Sequence, residues 1–214
     1  MRAFETRDGH AVATLEEEER VVIARIVADV GQLLGADDFA APAESDRTAR
    51  DHVDDVFRAL AGLEESLAEP SDPAVRRVLP SASRDDREIA EEFRRLTEPD
   101  LRSLKVARLR TMWEQLSDEG DEWQVRLDEA LATASALTDV RLVLAARLRL
   151  ETDEDAERLH AEIDLASHAM DTDAHEDLGV DPERVWLGML YQALSCLQES
   201  LLQCLLTGEE EQDV

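Results

Sequence analysis

Cys196 and Cys204 are the side chains best suited to redox chemistry, since a thiolate can be oxidised and so switch a regulator. Both fall in one predicted helix, about 12 Å apart along its axis at roughly 1.5 Å per residue. Disulfide Cα atoms sit roughly 4.4 to 6.8 Å apart, so an intramolecular bond would require that helix to unwind. An intermolecular bond, or a sulfenic acid on one thiol, stays open. Cys204 is central in the apolar face of the helix and reads more simply as a small core residue. Cys196, nearer the edge of that face, is the better candidate for a reactive thiol.

A second grouping, His160, Asp164, His168 and Asp171, shares one helix face, because steps of four and three residues nearly complete a turn. Imidazole and carboxylate could hold zinc or a similar ion if another element closed the coordination sphere. His175 lies just beyond. The preferred reading is plainer: a polar stripe beside Leu159, Ile163 and Met170 is what a surface helix shows. No cofactor is expected. The sequence has no phosphate-cradling glycine loop, no G-x-S-x-G elbow, no H-E-x-x-H and no paired C-x-x-C, and its eight glycines are scattered as breakers. No catalytic residue can be named, and a non-enzymatic protein is expected.

The third grouping is basic. The chain carries a formal net charge of -28, yet residues 71–110 hold Arg94, Arg95, Arg102 and Lys105, the only lysine, among several other arginines. These four are candidates for a partner surface. Asp85, Asp86, Glu88, Glu91, Glu92, Glu98 and Asp100 are interleaved with the basic residues, so internal pairing, a conformational lock, is the expected outcome. Charge disfavours direct DNA binding: affinity for a duplex comes mostly from neutralising phosphates, and a field this negative repels it.

Helices must position these groups. Aromatic residues make up 4% of the chain and no alternating βα pattern occurs, which points to a mainly α fold, a single-domain bundle of about six helices over 1–208. Asp8-Gly9 suits a two-residue type I′ turn between strands at Ala3 to Arg7 and His10 to Ala13. Trp123 to Leu127 alternates as a third short strand able to join them. The first long helix opens on Thr14 and Glu17 in capping-box spacing and stops at Gly35; Arg47 to Leu67 repeats the apolar pattern after the loop containing Pro42. Asp72-Pro73 caps a short helix ending at Pro80. Two helices follow: Asp85 to Leu96, with Ile89, Phe93 and Leu96 on its apolar face, and Pro99 to Leu116, with Leu101, Leu104, Leu109, Met112, Trp113 and Leu116. Asp128 can cap the next, which runs to about Leu150 and is the most apolar. The segment 151–181 is acidic and partly mobile around one amphipathic helix. Asp181-Pro182 opens the last, whose broad apolar face includes Val185, Trp186, Met189, Leu190, Leu197, Leu201 and Cys204, and residues 209–214 form a disordered acidic tail.

The N-terminal residues MRAFETRDGH lack an apolar signal region, and no run approaches the roughly 20 apolar residues that span a bilayer. A cytoplasmic protein with no membrane association is expected, and two cysteines agree with a reducing compartment.

The order DPAVRRVLP, REIAEEFRRLTEPDLRSLK, ALTDVRLVLAARL and WLGMLYQALSCLQESLL resembles an uncharacterised actinobacterial family, a domain of unknown function whose members are described as oxidative-stress transcriptional regulators. The stretch EFRRLTEPDLRSLK is the most specific. Asp139 and Arg141 fit the family's Asn-Asp-Leu-Arg-Leu-like run, and Thr138 departs from it. The resemblance implies a cytoplasmic regulator acting through a sigma factor or RNA polymerase. An acidic helical protein suits docking on a basic protein surface better than reading DNA. The alternatives are a general adaptor module with no redox role, a direct DNA-binding regulator and a metal-dependent enzyme.

Overall fold

The computed structural model describes residues 1–36, 39, 70–83, 85–118, 120–171 and 179–212, of which 169–171 and 208–212 are described by their backbone alone. The predicted helix Arg47 to Leu67, the loop at Pro42 and His175 lie outside these residues, as do the side chains of Met170 and Asp171. Among the described residues the fold is mainly α: six helices and one three-stranded antiparallel sheet.

The sheet forms as its turn chemistry requires. Strand β1 (Glu5–Arg7) and strand β2 (His10–Thr14) pair with Arg7 opposite His10, and the turn holds Asp8 at φ 47° and Gly9 at φ 77°. Both residues are left-handed, as a type I′ hairpin demands. Strand β3 (Glu122–Arg126) adds to the other edge of β2 with Thr14 opposite Glu122. Its alternate residues Trp123 and Val125 are buried, and Phe4 meets the Trp123 indole edge-on at 5.1 Å. Thr14 is therefore in the sheet rather than at a helix cap. The cap moves to Glu16, whose N–H donates to Glu19 at 2.9 Å, and helix α1 (Glu17–Leu33) begins there.

Helix α2 (Pro73–Val78) starts as expected, with the Asp72 carboxylate accepting from the Ala74 N–H at 2.8 Å. Helix α3 (Arg87–Ser117) replaces the two predicted helices with one of 31 residues that runs through Pro99. Helix α4 (Ala130–Arg147) is buried on most sides, through Ala134, Ala136, Leu137, Val140 and Leu144. Asp128 does not cap it; its carboxylate forks onto Arg126 at 2.6 and 2.9 Å. The helix ends three residues early because Arg149 takes φ 56°, and the Leu150 N–H returns to the Ala145 carbonyl at 2.9 Å. That is a Schellman end made without the usual glycine, which hid it in the sequence.

Helix α5 (Asp153–Asp171) lies on helix α6 (Pro182–Gln212), where Leu159 and Ile163 close over Gly188 so tightly that a Cβ there would come within 2.7 Å of Leu159. Leu148 and Val185 complete this smaller cluster. The main core joins the sheet to α1, α2, α3, α4 and α6. Helix α6 continues past Gly208, where the sequence suggests an end, to Gln212. Trp186 and Met189, expected in its apolar face, are exposed.

Candidate functional site

Most of the described basic residues of 71–110 are engaged with the protein itself. Glu98 is 5% exposed and each of its oxygens takes one arginine: Arg94 Nε at 3.3 Å and Arg102 Nη2 at 2.7 Å. The arginines stand one turn before and one turn after the carboxylate. Pro99 has no N–H and crowds the preceding turn, a cost of about 3 kcal/mol in a helix interior. The clamp fastens together the two turns that the proline would otherwise part.

Arg102 reaches further and donates through Nη1 to the Leu34 carbonyl at 3.0 Å. Leu34 is the C-cap of α1, so a cation meets the negative end of a helix dipole. The same device recurs at the end of α4, where Arg184 donates to Leu148 O at 2.6 Å and Arg77 to Leu150 O at 2.9 Å. Lys105 donates to Asp139 Oδ1 at 2.6 Å. Asp139 is 2% exposed, its Oδ2 has no partner, and burial raises its pKa above the ordinary carboxylate value despite Lys105 and the field of Arg108. Arg110 lies over the Phe39 ring, 4.6 Å from its centroid. Of the four partner-surface candidates, Arg94, Arg102 and Lys105 are thus mostly buried in internal pairs, whereas Arg95 is exposed and paired with Glu92 at 2.6 Å.

Among the residues that α3 presents outward are large apolar ones. Ile89, Phe93, Leu96 and Leu104 are 58, 50, 61 and 47% exposed. At about 100° per residue they fall within one stripe about 80° wide, roughly opposite Glu98, with the exposed Asp100 between Leu96 and Leu104. The amphipathicity of this half-helix is partly inverted: the Glu98 pairs face in, and large apolar side chains face out beside the exposed pairs Arg87–Glu91 and Arg95–Glu92. Sequence reasoning missed this because it assigns apolar stripes to the core. The available signal was the spacing Arg94-x-x-x-Glu98-x-x-x-Arg102, which can satisfy one carboxylate twice only when all three share a face.

The remaining candidates are separate from one another. Cys196 is exposed and Cys204 buried, both free in the continuous helix α6. Iodoacetamide at neutral pH is accordingly expected to label Cys196 and spare Cys204 in the folded protein, read by mass spectrometry. Equal labelling would place Cys204 outside the core. His160 and His168 turn their Nδ1 atoms onto the Ala156 and Asp164 carbonyls of their own helix, each at 2.8 Å. Among the described residues no group of three or more His, Cys, Asp or Glu is placed to hold a metal ion. No helix among them is long and apolar enough to cross a membrane.

A family model described as "Domain of unknown function (DUF2017)" matches residues 1–205. The chain belongs to the DUF2017 family. No curated protein and no solved structure matches it. The matched span takes in the whole of α3, the Glu98 clamp, the Asp139–Lys105 pair and both cysteines, so these features lie within the DUF2017 domain of this chain.

Proposed function

We propose that this DUF2017 protein is a non-enzymatic regulator that works by protein contact, docking through the outward face of α3. In the setting implied by the resemblance, the partner is a sigma factor or RNA polymerase and the stimulus is oxidative stress. The observation that carries the docking reading is the inversion of α3. Scattered exposed apolar residues are ordinary, but Ile89, Phe93 and Leu96 stand together, with Leu104 beyond Asp100, on a helix whose opposite face is fixed by Glu98 and Asp139. A rigid aromatic and aliphatic row is what interface anchors are made of. Direct DNA binding is the weaker reading, since Arg94, Arg102 and Lys105 already hold carboxylates.

Capture of purified RNA polymerase holoenzymes by immobilised protein tests this. Phe93→Ser with Leu96→Ser is expected to reduce capture at least tenfold while leaving the thermal unfolding midpoint within a few degrees, because both side chains are half or more exposed. Capture that survives the pair of substitutions would remove α3 as the docking surface. Absence of capture by the unaltered protein, with or without peroxide, would remove the polymerase.

A further inference from the structure

Resting on the docking reading just given, we infer that the segment seated on the outward face of α3 is a basic amphipathic helix of a partner protein. The charge of 71–110 is not mixed at random. Residues 85–100 contain seven carboxylates and three arginines, whereas 101–110 contain four basic residues and no acid. The structure separates the two blocks by direction. In the basic block, Arg102, Lys105 and Arg110 reach inward, to Leu34 and Glu98, to Asp139 and to the Phe39 ring. Arg94, from the acidic block, is drawn inward as well, onto Glu98. The apolar stripe is left flanked by the acidic block: Glu88, Glu91, Glu92 and Arg95 line the shallow depression around Ile89, Phe93 and Leu96. Arg95 is itself held by Glu92, and Glu91 by Arg87. Nothing in that rim offers a partner an unpaired excess of positive charge.

Shape selects a helix. From Ile89 to Leu96 the apolar stripe runs about 10 Å along the helix at 1.5 Å per residue, its steps of four and three residues match the spacing with which a second helix interdigitates, and Asp100 then stands on the same face before Leu104. Charge selects its flanks. Lys and Arg beside the apolar seam of the incoming helix would meet Glu88 and Asp100 directly, and Glu91 and Glu92 in exchange with Arg87 and Arg95, steering encounter and excluding acidic competitors. A second copy of this chain would set acidic rim on acidic rim between bodies of charge -28, and a nucleic acid would meet the same field.

The test is selection from a library of displayed amphipathic helical peptides with a constant Leu seam and flanking positions varied among Lys, Arg, Glu and Gln. The full chain is the bait, and the best binders are then measured by fluorescence anisotropy. Lys- and Arg-flanked peptides are expected to be enriched, to bind at least tenfold tighter than Glu-flanked ones, to weaken as salt rises, and to be lost with Phe93→Ser. Glu88→Lys with Glu92→Lys, both at exposed positions, should shift enrichment toward acidic flanks with folding intact by circular dichroism. Enrichment of uncharged or acidic flanks on the unaltered bait, or no enrichment beyond the Phe93→Ser bait, would overturn the inference. A dimer in sedimentation that Phe93→Ser abolishes would also overturn it and assign the face to a second copy. Polymerase capture fails or succeeds independently, so loss of the transcription setting and loss of the basic-helix partner give different results.

Discussion

Glu98→Ala is expected to lower the unfolding free energy by about 3 to 5 kcal/mol, the range for removing one member of a buried ion pair. The reason is the asymmetry between making and breaking such a pair. Glu98 is 5% exposed and the Arg94 side chain 11%, so the substitution leaves a nearly buried guanidinium without its anion. It also frees Arg102, which is less deeply held, from its anchor while Arg102 is still needed on the Leu34 carbonyl. The proline then acts unopposed at the next residue. Glu98→Gln keeps one acceptor oxygen and should cost less. Urea unfolding followed by far-UV circular dichroism measures both, and hydrogen exchange around Thr97 to Ser103 should rise first in Glu98→Ala. A loss below about 1 kcal/mol, typical of an exposed ion pair, would mean that α3 crosses Pro99 without the clamp.

The difference between what the sequence disclosed and what it concealed follows from the range of the forces involved. Asp8-Gly9 announced a hairpin because a left-handed turn selects its residues locally, and the alternation of Trp123 and Val125 announced a strand that needs burial on one face only. The Asp72-Pro73 cap was equally local. Pro99 pointed the other way: by propensity it ends a helix, yet α3 runs through it with Glu98 and its two arginines bridging the turns on either side. Arg149 in a left-handed conformation was invisible for the opposite reason, since no glycine marked it. Hardest to read was the direction of α3. Apolar residues at helical period carry no label saying which way they face. Here the inward face joins the C-terminal half's core residues Leu109, Met112 and Leu116 to Arg102 and Lys105, which reach the Leu34 carbonyl and the Asp139 carboxylate. Once the cations turn in, Ile89, Phe93 and Leu96 must turn out. The candidate docking surface therefore follows from the buried polar network and the core residues on the opposite face, and its residues were legible as a stripe but not as a surface.

Lys105→Ala should be comparably damaging at neutral pH, by about 3 to 5 kcal/mol, and unlike Glu98→Ala its cost should shrink in acid. Lys105 is the hydrogen-bond partner of a carboxylate that is 2% exposed and already has one oxygen unpaired. Burial raises the folded-state pKa of Asp139 even with Lys105 present. The folded protein therefore binds more protons than the unfolded chain between the unfolded value, about 3.9, and the raised folded value. Across that window the stability contributed by Asp139 is greatest at the acid end and is lost as pH rises. Removing Lys105 takes away both its hydrogen bond and its charge, the largest opposing effects, so the folded pKa moves higher and the window widens upward. The stability difference between the native chain and Lys105→Ala should accordingly be largest on the alkaline side of that window and shrink as pH falls through it, as Asp139 takes up its proton and its charge no longer has to be held in the core. Asp139→Asn in the Lys105→Ala background removes the titrating group and should recover much of the loss at pH 7 while flattening the pH dependence. Chemical denaturation across this pH range separates the possibilities: a cost independent of pH, or one that Asp139→Asn fails to relieve, would assign Lys105 a packing role through its aliphatic stem and leave Asp139 balanced by Arg108 alone.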